Sequence, residues 1–351
     1  MILALFCIFL VTAFFAIFED KLSSFKWVIY ALVGVCLVLL AGFRPVGIDN
    51  DSINYELYFF KYDNPLFENT VEPSFRFISG FLYKNFKDVH SIFIVYALFG
   101  VSLKLIAFRK LTQHTYLALS IYICTYYILH ELTQIRIGIS SGLLLLAIVE
   151  ICNERRKNAC GLFLIALLFH YSSIMLFPIL FMSNKDFSFK EKYFWSGLVI
   201  AGYGFYFLHI GLATLPIPYI ADKLQAYEEL KQEGFIDEVN VFNIVFLVKI
   251  AIFYYIMYFY DIIKKQNNYL PFMIKMESIS LFSFTALSTL PVLSFRVSEL
   301  FGIVEIILYT NILYTIRPNL FGKIISLTIG FILMFIAIYL SLIHISEPTR
   351  H

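Results

Sequence analysis

Charge is what this sequence has least of. Only 15% of its 351 residues are Asp, Glu, Lys or Arg, while 60% are hydrophobic. So thin a polar complement excludes a soluble domain of this length. Apolar runs of about 18 or more residues recur instead, each long enough to cross about 30 Å of hydrocarbon. The short alternating segments of a transmembrane β-barrel are missing. No Walker motif, dinucleotide fingerprint or zinc spacing occurs, so no nucleotide site is read and the energy for any reaction must arrive with the substrate. "GIDNDSINYE" sets acidic residues close together but lacks the Gly and terminal Glu of an EF-hand loop. Cys7, Cys36 and Cys124 lie in apolar runs, and Cys152 and Cys160 flank a basic loop. None falls in the two long polar loops, which excludes a disulfide framework, and their spacing suits no metal. Neither cofactor nor metal is implied, and the net charge of +2 gives no sign of a nucleic-acid partner.

The apolar runs predict an all-α polytopic membrane protein with about ten transmembrane helices, near residues 1–18, 26–43, 89–108, 115–130, 132–151, 192–209, 241–260, 270–290, 297–316 and 322–343. Together they read as one transmembrane domain over 1–343. The first run has no basic start and no small-x-small cleavage site, so it reads as a span and not as a signal peptide. The closing "SEPTRH" resembles read-through from a sequencing adapter, and 344–351 are set apart as a non-native tail.

Sidedness follows from Lys and Arg in short loops. Lys104, Arg109 and Lys110 mark one cytoplasmic end; Arg155 to Lys157, then Lys264 and Lys265, then Arg317 and Lys323, mark others. Residues 44–72 and 210–240 each carry two basic and six acidic groups and are expected to face outward, within outward loops at 44–88 and 210–240. Residues 159–182 start and finish beside basic loops. A re-entrant hairpin, with "HYSS" turning and His170 near the bilayer middle, reconciles this with an outward 210–240. One continuous span with a buried His is the alternative. Residues 72–88 are too charged to cross. Phe75, Phe77, Ile78, Phe81, Leu82 and Phe86 are expected to form one face of a helix lying at the outer interface.

On this map Arg44, Arg76, Arg136 and Arg296 stand on or near the outer side, against the positive-inside trend. A guanidinium stays charged and grips phosphate bidentately, so outward arginines at membrane depth suit a lipid-linked diphosphate. Snorkelling, or pairing with Glu131 or Glu299, is the simpler explanation for any one of them. Arg136 precedes Gly138, Ser140, Ser141 and Gly142, small residues that admit a close neighbouring helix. His170 is a candidate general base or hydrogen-bond donor. Asp49, Asp51 and Glu72 offer outward carboxylates. Lys249 and Glu305 fall inside spans at similar depth and are expected to face the bundle interior as a structural ion pair.

The segments "FRPVGIDNDSINY", "EPSFRFISGFL", "QIRIGISSGLLLLA", "ALLFHYSSIMLFP" and "SFRVSELFGIVEII", in this order over about 26–320, resemble the EpsG-like family of Wzy-type polysaccharide polymerases. Ile137 stands where that family often has Gln, and the spacing from Asp49 to Tyr55 is loose. The resemblance implies a multi-pass glycosyltransferase of the bacterial cytoplasmic (inner) membrane. It would extend O-antigen, capsule or exopolysaccharide chains from undecaprenyl-diphosphate-linked oligosaccharide repeats on the periplasmic face, with a chain-length regulator as a further partner. His170 or Asp49 would serve as base, and Arg136, Arg44, Arg296 and Arg76 would hold the diphosphate. A flippase of lipid-linked oligosaccharides, a membrane acyltransferase and an O-antigen ligase-like transferase are the alternatives.

Overall fold

The computed structural model describes residues 1–22, 25–67, 71–208 and 239–346, and among these every regular element is helical. The 210–240 loop lies almost wholly outside the described residues, as does most of the 344–351 tail. Among the described residues, four helices have the length and apolar composition of a membrane crossing: Ile2–Lys21, His90–Leu111, Ile135–Cys152 and Asn319–Ile338. Contacts group the chain into two compact units. One comprises Met1–Ile174 with Ile306–His351, the other Met175–Glu305.

In the first unit, α1 (Ile2–Phe18) and α2 (Lys26–Gly42) match the first two expected spans. The chain then builds α3 (Asn50–Phe60), α4 (Pro73–Asn85), α5 (His90–Leu111), α6 (Thr115–Thr125), α7 (Ile135–Cys152) and α8 (Arg156–Phe169). The expected 115–130 span is shorter than drawn, because α6 gives way to a π-helix at Ile128–Thr133. α7 packs between α5 and α8, and α4 packs on α8 and α5. The small residues of α7 permit this closeness: a Cβ on Gly142 would stand 2.7 Å from Leu103 Cβ.

Three readings change here. Lys104, taken as a cytoplasmic marker, is fully buried and paired with Glu131, so Arg109 and Lys110 alone hold the charged end of α5. The apolar residues of α4 do not share one face: Phe75 and Leu82 turn inward, while Phe77, Phe81 and the following Phe86 are exposed. Their positions spread too far around a turn of 3.6 residues for one stripe. His170 is not midway through a crossing. It ends α8, in contact with the carboxylate that also binds Arg136 in the first turn of α7, so it lies level with that end of α7. From Arg156 to Phe169, α8 is about 21 Å long. Beyond His170, Tyr171–Phe181 continues as a 3-10 helix, burying Ser173, Leu176 and Ile179 and exposing Tyr171, Ile174 and Phe177. Two stripes at intervals of three follow from three residues per turn.

In the second unit, α9 (Phe189–Phe207) opens with a reciprocal capping box between Ser188 and Glu191. It packs on α12 (Leu270–Ala286), which also packs on α10 (Ile244–Tyr258), the short α11 (Tyr260–Lys264) and α13 (Pro291–Gly302). The 297–316 span expected as one helix is instead α13, then α14 (Glu305–Thr310) and a 3-10 turn at Asn311–Thr315. Pro291 starts α13 earlier, because its fixed φ suits the first helical turn. Gly302 closes it. From Ile306 onward the chain belongs to the first unit again, where the final helix, α15 (Asn319–Ser346), packs on α6.

Candidate functional site

Glu72 precedes Pro73, the first residue of α4, and so occupies the N-cap position. Its side chain caps nothing on its own helix and is free to reach across the unit. Oε1 accepts from His170 Nδ1 at 3.2 Å and from the Tyr171 backbone N–H at 3.3 Å, while Oε2 accepts from Arg136 Nη1. Ser74 on the first turn of α4 donates to Leu168 O at 2.5 Å, tying this helix start to the end of α8. The backbone at His170 is extended (φ −154°, ψ 112°), and that break in the helix turns the imidazole toward Glu72.

Burial pushes the Glu72 carboxyl up, but the His170 hydrogen bond and the Arg136 charge together outweigh it and hold the group below its ordinary value. An ionised Glu72 only accepts, so His170 Nδ1 donates to it, and in the neutral tautomer this leaves the lone pair on Nε2. That Nε2 is buried and has no partner, as has Arg136 Nε. Tyr55 completes the group. The Arg136 guanidinium lies 5.6 Å from its ring centroid. Burial pushes the Tyr55 phenol up to about 12, so it stays protonated at neutral pH.

A second polar knot forms where α2 ends. Arg44 is 1% exposed. Its Nη1 donates to Ala41 O at 2.9 Å, its Nε lies 3.5 Å from Asp49 Oδ2, and its guanidinium lies 3.9 Å over the Phe93 ring. Asp49 Oδ1 caps α3, accepting from Asp51 N at 3.1 Å and Ser52 N at 2.8 Å. Gly47, at φ +87°, makes the intervening turn, a conformation that disfavours any side chain. Arg44 therefore joins the end of α2 to the start of α3 and to α5, with Nη2 buried and without a partner.

The sequence candidates thus separate. Glu72, Arg136 and His170 meet, and Asp49 meets Arg44. Asp51 sits in the first turn of α3. Arg76, a turn along α4 from Glu72, donates from Nε to Tyr62 O at 3.2 Å. Arg296 belongs to the other unit and is exposed on α13. In that unit Lys249 Nζ lies 2.8 Å from Glu305 Oε1, and Glu277 and Glu299 converge on the same lysine. Glu277 also lies beside Glu305. Sequence reasoning missed Tyr55 as a site residue and Glu277 altogether. The signal for Tyr55 was helical: Ser52, Tyr55 and Phe59 are the buried positions along α3. Glu277 gave no comparable signal beyond being a carboxylate in an apolar run.

Among the described residues, no group of three or more His, Cys, Asp or Glu side chains could hold a metal ion. The cluster around Glu72 offers an oriented imidazole with a free lone pair, a guanidinium with unused donor capacity and a neutral phenol. Such a set can take a proton from a hydroxyl and stabilise a nearby anion.

No curated protein and no solved structure matches the chain. The model of the EpsG family matches residues 27–349, nearly the whole length, and the chain belongs to that family. The family is of Wzy-like polysaccharide-polymerase type, and its membership and the apolar helices agree in a multi-pass membrane protein.

Proposed function

From membership of the EpsG family, we propose that this chain is a glycosyltransferase of the bacterial cytoplasmic membrane that polymerises undecaprenyl-diphosphate-linked oligosaccharide repeats at the outer face. The observation that carries this reading is the contact of Glu72 with both Arg136 and His170. A hydroxyl on the acceptor repeat attacks the anomeric carbon of the donor glycan. The bond from that carbon to the diphosphate oxygen breaks, and its electron pair leaves on the lipid diphosphate. His170 Nε2 takes the hydroxyl proton, and Glu72 stabilises the imidazolium that forms, as the carboxylate of a catalytic triad does. Arg136 faces the charge growing on the departing diphosphate, where a fixed cation lowers the barrier most.

His170 is favoured over Asp49 as the base because both Asp49 oxygens are already engaged, one capping α3 and one beside Arg44. Arg44 and Arg76, on the same unit as Arg136, take supporting roles toward the anionic carrier. The re-entrant reading of 159–182 belongs to this proposal. In that arrangement His170 sits at the turn, facing the outer side.

Deleting the gene tests the reaction. Single repeat units on the surface lipid, in place of long chains, are the expected outcome. Loss of all surface glycan would overturn polymerisation in favour of a flippase or a ligase.

A further inference from the structure

The residues just before Arg136 hold more buried charge than the proposed chemistry uses. Lys104 on α5 is fully buried. Its Nζ donates to Glu131 Oε1 at 2.6 Å and to the Gly138 carbonyl at 2.5 Å. Tyr122 adds a hydrogen bond to the same Glu131 oxygen at 2.8 Å. Glu131 lies in the π-helix Ile128–Thr133, and Gly138 lies two residues beyond Arg136. One ammonium thus grips the chain on both sides of Arg136. A second tie runs parallel to it: Ser141 Oγ lies 3.1 Å from His130 Nδ1, again joining the π-helix to α7.

The surroundings leave this clamp no slack. A Cβ on Gly138 would stand 2.7 Å from His130 O and 2.8 Å from Glu131 Oε2, and a Cβ on Gly100 would collide with the same Glu131 oxygen. Glu131 cannot swing aside to admit it without leaving Lys104 and Tyr122. Stability alone is a weak reason for such a pair, since well-packed apolar residues often serve a buried site as well or better. What a three-donor ammonium supplies is direction. The π-helix inserts an extra residue per turn and so sets the angle at which α7 begins, with Arg136 in its first turn.

We propose that the Lys104–Glu131 clamp, seated against Gly100 and Gly138, is a positioning device that fixes the guanidinium of Arg136 against the lipid diphosphate. It rests on the reading of Arg136 given above. Lys104 and Glu131 are positioning residues: they act through α7 and touch no substrate.

Gly100→Ala tests this with every charge retained. Gly34→Ala is its packing control, because the added Cβ there meets only the mobile end of Leu105. Lipid-linked repeats isolated from the deletion strain serve as substrate for detergent-purified enzyme, and turnover is counted per folded molecule. Gly100→Ala is expected to lower kcat about tenfold or more with KM within about twofold, since a misplacement of about 1 Å can cost on the order of a hundredfold. Gly34→Ala is expected to match the parent enzyme. Should Gly100→Ala fail to fold, the double variant Lys104→Met/Glu131→Gln, which conserves volume and removes both charges, is read the same way. Undiminished turnover per folded molecule in whichever variant is measured, with only yield or melting temperature reduced, would overturn the proposal. So would a Gly100→Ala loss that simply multiplies with that of Arg136→Lys, because groups acting through one guanidinium cannot be independent. Normal chain extension by Arg136→Lys itself would instead overturn the role given to Arg136.

Discussion

Glu72 in one unit and Lys249 in the other each stand between several partners of opposite charge, in inverse proportions. Around Glu72, one carboxylate serves a guanidinium and an imidazole, and unused donor and lone-pair capacity remains on Arg136 and His170. Around Lys249, one ammonium serves Glu277, Glu299 and Glu305, and two of those carboxylates, Glu277 and Glu305, lie beside each other. The first arrangement leaves a cationic group ready to meet an anion. The second consumes its only lysine and has carboxylate to spare. The contrast supports the proposal that the chemistry belongs to the Glu72 cluster and that the Lys249 cluster is structural, although both bury charge within an apolar chain.

The largest effect that would break this comparison is at Arg136. Arg136→Lys keeps a charge but loses the planar fork, and it is expected to cut chain extension by about two orders of magnitude while protein abundance holds. Near-normal chain length on a gel of surface glycan would remove Arg136 from the site.

Glu72 comes next, through pH. Its folded-state value lies below its ordinary one, so an unfolded chain binds the proton more readily. The stabilisation it gives is complete above the ordinary carboxylate value and is lost as pH falls through the lowered folded value. Melting temperature followed from neutral to acid pH should fall less steeply for Glu72→Gln than for the parent chain. An identical acid profile would mean that Glu72 is not the bridge described.

The smaller effects sharpen the other side. Lys249→Met leaves its carboxylates without a cation and is expected to cost about 3 kcal/mol in unfolding measurements, with turnover per folded molecule unchanged. Glu277→Gln removes one of the surplus carboxylates and should shift stability upward. A loss of turnover in Lys249→Met without loss of stability would move the chemistry toward the second unit. The smallest expected effect is Arg296→Ala, an exposed position whose stability should stay within about 0.5 kcal/mol.

The membrane-spanning character and the helical class were legible because hydropathy is summed over neighbours in the chain. One helix start was legible for a similar reason, at the Glu-Pro of 72–73. The rest depended on residues remote in sequence. Lys104 reads as a loop charge beside Arg109 and Lys110, and only its burial against Glu131, 27 residues on, shows otherwise. Asp49 and Glu72 look alike as loop carboxylates. Asp49 spends itself on the helix it begins, whereas Glu72 reaches residues 64 and 98 positions away. α4 read as one apolar face because the sequence does not tell an apolar side chain that meets protein from one left exposed.

By itself the sequence determined that this chain is helical and lives in a membrane, because the length and apolarity of a segment are local properties that no fold need supply. Only the tertiary structure decided which charges meet, because one carboxylate among many becomes a bridge solely through the helices that close around it.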